Sequence, residues 1–144
     1  MYKRNNLLLA LVVAAAMLSG CATPLNSMQK QELRGYQAKG LAVEEKNPGA
    51  AAALGVLPGF GSFYVREYGA GVVNLLLWPA SILWDPVSGY QGAQSINYYA
   101  TVNRVENLKE DEFEQLEEQL VMDTISKEQF ILKKREIRNK YDAL

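Results

Sequence analysis

Hydrophobic and polar residues come in long blocks along this 144-residue chain. Leu7 to Leu18 is apolar, residues 23–47 are polar, Pro48 to Trp84 is apolar again, and Lys109 to Asp142 is dense in charge. Inside the second apolar block the only formal charges before Asp85 are Arg66 and Glu67, side by side near its middle. They divide it into two arms, Ala50 to Tyr64 and Ala70 to Trp84. Each arm of about 15 residues measures about 22 Å as a helix, against about 30 Å of bilayer hydrocarbon. The block is predicted to be a short helical hairpin, bent where Pro58-Gly59 and Pro79 interrupt its arms. It can span a membrane with local thinning, dip into one leaflet, or pack as a buried core.

The flanking pattern is helical as well. Residues 23–47 are helix-permissive, but Leu25, Met28 and Leu33 are too sparse for an amphipathic stripe, which predicts a tether with a partial helix. Pro86 to Gly92 reads as a loop. From Ala93 a helix can start, with Ile96, Tyr99, Val102 and Val105 roughly on one face, and it can run on into the charged segment. There Phe113, Leu116, Leu120 and Val121 mark an apolar stripe, with acids on the remaining faces. Ser126 is a good N-cap with Gln129 three residues on, a capping box, and Ile125 and Phe130 are spaced as a hydrophobic staple. The helix that follows presents Phe130, Ile131, Ile137 and Tyr141, with basic residues concentrated toward its C-terminus, where they suit the helix dipole. The fold class expected is mainly α, ordered as 1–20 signal segment, 21–47 polar tether, 48–86 apolar hairpin, 87–108 connector with a helix, and 109–144 charged helical hairpin.

Composition narrows the chemistry. The net charge is −1, so there is no basic field for nucleic acid. His is absent, which removes the commonest general base and metal ligand. The single Cys permits no intrachain disulfide and no Cys-based zinc site. No metal or cofactor is expected, and no motif suggests a nucleophile or acid–base pair in a cleft, so the chain is read as non-catalytic. Gly59-Phe60-Gly61 is too short for a nucleotide fingerprint.

The one Cys is informative by position. Lys3 and Arg4 precede the apolar run, which ends in Leu18-Ser19-Gly20-Cys21. This resembles the lipobox of bacterial lipoproteins. The resemblance implies cleavage between Gly20 and Cys21, a diacylglyceryl thioether on Cys21 and acylation of the new amino terminus. Several acyl chains anchor far more firmly than one, since each buried methylene adds roughly 0.8 kcal/mol. The alternative is a plain signal peptide with an incidental Cys. In the resembling enterobacterial lipoproteins an Asp after the Cys retains the protein in the inner membrane. Ala22 stands there, which favours the outer membrane, whereas apolar spans tend to lodge in the inner one.

Two further resemblances follow from the blocks. Gly59-x-Gly61, Phe63-Tyr64, Gly71 followed by Leu75-Leu76-Leu77, and the closing Trp84-Asp85 resemble the TM2 domain, a two-helix membrane hairpin. Here only Ser62 separates the second glycine from the Phe-Tyr pair, and Arg66 stands where that family carries a later Gly. Ala51, Gly55 and Gly59 recur every four residues and Gly71 opens the second arm, so Gly55, Gly59, Gly61 and Gly71 are expected to let two helices approach closely. Trp78 and Trp84, with Tyr64, Tyr68 and Tyr90, are placed as an interfacial belt. Asp85, before Pro86, is expected to end the hairpin at that interface; the alternative is a functional carboxylate at membrane depth, where it would be expensive. Two crossings would leave Arg66 in a cytoplasmic turn. In the charged segment, Leu116 through Val121, Ile125-Ser126-x-Glu128-Gln129-Phe130 and Lys133-Lys134 resemble the short C-terminal helical hairpin called SHOCT, with Asp123 where that family has Gly. This resemblance implies a small interaction or oligomerisation module in which Ser126, Gln129 and Phe130 shape the turn.

Together these features lead to an expected envelope lipoprotein facing the periplasm. Its partners are membrane lipid and either a second copy or another envelope protein. A rival reading makes it an accessory or regulatory subunit of a larger envelope transport or assembly complex.

Overall fold

The structure, a computed structural model, describes residues 23–143. The signal segment, with Gly20 and Cys21, lies outside the described residues. The chain is mainly α, with no strand among the described residues.

Asn26 opens α1 (Ser27–Ala38). Its Oδ1 accepts from the Gln29 N–H at 2.9 Å while Gln29 Oε1 accepts from the Asn26 N–H at 3.0 Å, so two otherwise orphaned donors are satisfied. The helix closes at Gly40, whose φ of +69° lets the Leu41 N–H reach the Tyr36 carbonyl at 2.9 Å. The expected tether is thus a folded segment, with Leu25 and Leu33 buried.

The two long arms expected of the apolar block do not form. Instead it breaks into α2 (Pro48–Leu54), α3 (Phe60–Tyr64), α4 (Tyr68–Leu76) and a 3-10 turn (Ala80–Leu83). Asn47 caps α2, with Pro48 in its first turn. Left-handed residues at Gly59 and Arg66 bracket α3, and Pro79 brings no N–H to continue α4. Among the described residues no helix is long and apolar enough to cross a membrane.

Pro86 to Gly92 is not a loop. It belongs to the opening of α5 (Asp85–Val121), a single helix that absorbs the connector and the first charged helix. Pro86 lies in the first turn, where its missing N–H costs nothing. Beyond a turn at residues 122–126, α6 (Lys127–Tyr141) completes the chain.

The described chain forms two compact units. One is Glu45–Asn97 together with residues 23–25; the other is Asn26–Glu44 together with residues 98–143. In the first, α2 packs on α3 and α3 on α4, around a small core of Ala51, Val65 and Ala93 flanked by Tyr64 and Ile96. Asn97 pins the approach to α2, accepting from the Lys46 N–H at 2.8 Å and donating to the Lys46 carbonyl at 2.7 Å. In the second unit α1 lies on the later part of α5, where the Tyr98 hydroxyl donates to Glu32 Oε2 at 2.5 Å and Thr101 Oγ1 accepts from the Val43 N–H at 2.9 Å. Gly35 approaches the Ala143 carbonyl so closely that a methyl group there would overlap it.

Candidate functional site

The first unit is organised around a polar knot. Asp85, fully buried at the start of α5, accepts from Ser62 Oγ at 2.5 Å and Asn74 Nδ2 at 2.8 Å through Oδ1, and from the Gly61 N–H at 3.2 Å through Oδ2. Asn74 also donates to Ser62 Oγ at 3.0 Å and accepts from Trp84 Nε1 at 2.8 Å. Three separate elements, α3, α4 and the opening of α5, therefore meet on one carboxylate. The donors stand in for the lost water. The expectation that Asp85 ends a helix at an interface is corrected: it begins one, inside the protein. At zero exposure its geometry fits a clamp rather than a group that meets a substrate.

Around this knot the usual distribution of polarity is reversed. In α4 the buried residues are Ala70, Gly71 and Asn74, whereas Val72, Leu75 and Leu76 are exposed, Leu76 by 77%. In α3 Gly61 and Ser62 are buried and Phe60 is exposed. At the start of α5 Asp85, Ser88 and Gly89 face inward while Val87 and Tyr90 face outward. Leu83 in the 3-10 turn is 82% exposed, and Ser81 beside it is fully buried, its hydroxyl without a hydrogen-bond partner. Small and polar groups are inside and large apolar ones outside, along three helices and a turn.

The glycines singled out from the sequence lie where backbones nearly touch. A methyl group on Gly55 would overlap the backbone at Asp85 and Pro86, and one on Gly59 the Gly71 carbonyl. On Gly61 it would stand 2.8 Å from the Gly55 Cα, and on Gly71 2.5 Å from the Phe63 ring. They do not form one helical seam, because Gly55 caps α2 and Gly59 precedes α3. Gly89, which the loop reading passed over, packs against the Ala51 carbonyl in the same way. The aromatic residues divide. Trp78, Tyr68 and Tyr90 are exposed, Trp84 is tied to Asn74, and the Tyr64 hydroxyl accepts from the Asn47 N–H at 3.2 Å.

The second unit carries the charged hairpin. Ser126 and Gln129 cap α6 reciprocally, at 3.2 and 2.9 Å. Asp123, at φ +54°, closes the preceding helix with the Thr124 N–H on the Gln119 carbonyl at 3.0 Å. Phe130 is half-buried, with the Lys134 ammonium 5.4 Å from its ring and 5.6 Å from that of Phe113. Leu116 and Tyr141 are buried, but Val121, Met122, Ile131 and Leu132 are exposed, so the expected stripes are covered only in part. Acidic and basic helices pair within the hairpin: Lys140 and the Tyr141 hydroxyl both bond Glu112 Oε1, the latter at 2.9 Å. Donation from Lys140, and then from Tyr141, holds the Glu112 carboxyl below its ordinary value. The Lys39 ammonium reaches the Asn139 and Asp142 carbonyls at 2.9 and 2.6 Å, neutralising the negative end of α6. The hydrogen bond to Glu32, with burial, pushes the Tyr98 phenol up to about 12.

Among the described residues no group of acids or Cys could hold a metal ion. Comparison with protein-family models, with characterised proteins and with solved structures finds no match.

Sequence reading singled out the glycines, Asp85 and the α6 cap. It missed Ser62 and Asn74 as partners of Asp85. Their signal was available: they are isolated polar residues within an otherwise apolar block.

Proposed function

We propose that this chain is a non-catalytic envelope lipoprotein, anchored through Cys21 and presenting its C-terminal helical pair to a partner protein or to a second copy. The observation that carries the reading is Leu18-Ser19-Gly20-Cys21 at the end of a signal-like apolar run. Two features support it. Leu25, only four positions after Cys21, is already buried in the folded protein. The α5–α6 hairpin keeps Val121, Met122, Ile131 and Leu132 exposed beside charged side chains, a surface suited to docking. In this reading the buried Asp85, enclosed by its donors Gly61, Ser62 and Asn74, has a structural part.

The test is the mass of the mature N-terminal peptide, together with alkaline carbonate extraction of wild type and Cys21→Ala. The expected outcome is a peptide beginning at Cys21 with diacylglyceryl and acyl additions, absent from the variant. An unmodified Cys21 on an exported chain would overturn the anchor. Crosslinking in membranes at Ile131 and Leu132 separates self-association from capture of another envelope protein, the arrangement expected of a subunit of a larger assembly.

A further inference from the structure

We infer that the unit spanning residues 45–97 is embedded in a single leaflet of the bilayer, with its apolar exterior in lipid and its charged corner at the headgroups. The inference rests on that reading of an envelope protein and specifies how it meets its membrane; apart from its last supporting point, its observations are independent of the Cys21 anchor.

Four observations carry it. First, a water-facing unit buries its large apolar side chains, whereas this one buries Asp85, Asn74, Ser62 and Ser81 and exposes Val72, Leu76 and Leu83. Apolar surroundings remove the penalty on that exterior and leave small residues and hydrogen bonds to do the packing. Second, charge is segregated. Apart from Asp85 the unit's charged residues are Glu45, Lys46, Arg66 and Glu67. Arg66 pairs with Glu45 at 2.8 Å, and the Lys46 ammonium sits 4.6 Å from the centre of the Tyr64 ring, so they gather at one corner.

Third, the turns between the short helices satisfy their own backbone. The Leu57 N–H bonds the Leu54 carbonyl, Glu67 bonds Ser62, Ala80 bonds Leu77 and Trp84 bonds Ser81, at 2.9 to 3.1 Å. Irregular chain survives in hydrocarbon only when such groups are paired. Fourth, length and position agree. The nine-residue α4 is about 13 Å long, close to the ~15 Å of one leaflet and far short of the full hydrocarbon thickness. The four residues from Cys21 to the buried Leu25 reach at most about 14 Å, so an acylated Cys21 would hold this unit against the surface.

The probe is already in place, since both tryptophans of the chain, Trp78 and Trp84, lie in this unit. The acylated full-length mature protein and the Cys21→Ala mature chain are mixed with vesicles of phosphatidylethanolamine and phosphatidylglycerol. The vesicle lipids carry bromine either near the carbonyl end or near the terminal methyl of the acyl chains. Wild type minus Trp78→Phe isolates the exposed Trp78 and leaves the Trp84–Asn74 bond intact. Expected are a blue-shifted Trp78 emission, stronger quenching by the shallow bromines than by the deep ones, and binding of the unacylated chain. Leu76→Lys with Leu83→Lys replaces two exposed side chains and is expected to keep the helical circular dichroism while weakening vesicle binding at least about tenfold.

Water-like, unquenched Trp78 in the acylated protein would overturn the inference while leaving the anchor standing. Strongest quenching at the bilayer centre would overturn it in favour of deeper insertion. A lipid-indifferent dimer that covers Leu76 and Leu83 would overturn it in favour of self-association. An unmodified Cys21 leaves the vesicle test of the unacylated chain in force, so failure of the anchor and failure of the embedding are told apart.

Discussion

Asp85 shows how much of the first unit rests on single polar atoms. Replacing it by Ala orphans three donors, each costing about 1–3 kcal/mol when buried. Asp85→Ala is therefore expected to lower stability by about 3 kcal/mol or more, read as the loss of the tryptophan signal in urea. Asp85→Asn should also destabilise, because its NH2 must face a donor whichever way the amide turns, Ser62 and Asn74 on one side or the Gly61 N–H on the other. Ser81→Ala removes a buried hydroxyl that has no partner and is expected to be neutral or stabilising by up to about 1 kcal/mol in the same melt. At Asp123 the left-handed backbone decides the order of variants. Asp123→Gly relieves strain and should be neutral or slightly stabilising, whereas the β-branched Asp123→Val should cost about 1–2 kcal/mol in thermal unfolding. Arg66 and Asp123 occupy the two places where the sequence departs from the glycine of the patterns it resembles. Both are left-handed, the conformation that glycine adopts at least cost.

At the scale of elements, legibility depended on whether a signal has one meaning. The Ser126–Gln129 cap does, because a hydroxyl and an amide at that spacing satisfy a helix start and little else. Asn26–Gln29 has the same spacing and the same reciprocal bonds, and it alone could have revealed α1 in a segment whose apolar residues are sparse. Glycine and proline carry two meanings. Pro86, Gly89 and Gly92 read as a loop, yet the first tolerates a helix start and Gly89 admits another backbone, so α5 begins where the pattern suggests an ending. The apolar block misleads for a different reason: its hydropathy reports that apolar surface exists, not which side of a helix carries it. One element-scale prediction concerns α1 on α5. The Tyr98 phenol ionises near 10 when unfolded and at about 12 when it donates to Glu32. The folded value is raised, so its contribution is fully present below pH 10 and is lost as pH rises from about 10 to 12. Thermal midpoints measured across that window should fall less steeply in Tyr98→Phe than in wild type, with the Phe variant already less stable near pH 8. Parallel slopes would show that the bond does not couple to folding.

The whole molecule joins two units with different surfaces, and that difference separates their responses to surroundings. The 45–97 unit exposes apolar side chains over a hydrogen-bonded polar interior, while the other exposes mostly charge, with an apolar patch at Val121, Met122, Ile131 and Leu132, over Leu33, Leu116 and Tyr141. Any amphiphile that binds the folded form of a unit, and not its unfolded form, stabilises that unit by mass action. Titrating a mild detergent into the unacylated chain should therefore raise the denaturation midpoint followed by tryptophan, since both tryptophans report the 45–97 unit alone. Helical circular dichroism draws mainly on α1, the long α5 and α6, and its principal transition should barely move. The Glu112 carboxyl adds a second axis. It is held low by Lys140 and Tyr141, so its contribution is present above the ordinary carboxylate value and is lost as pH falls through the lower folded one. Acid should thus lower the circular-dichroism midpoint through the charged hairpin, and Glu112→Gln should blunt that dependence without shifting the detergent response. Two probes moving on two axes would mean that the units unfold separately and that no single midpoint describes the chain. Coincident transitions under every condition would instead mean that the continuous α5 couples them into one cooperative body, and the detergent would then stabilise the charged hairpin as much as the apolar unit.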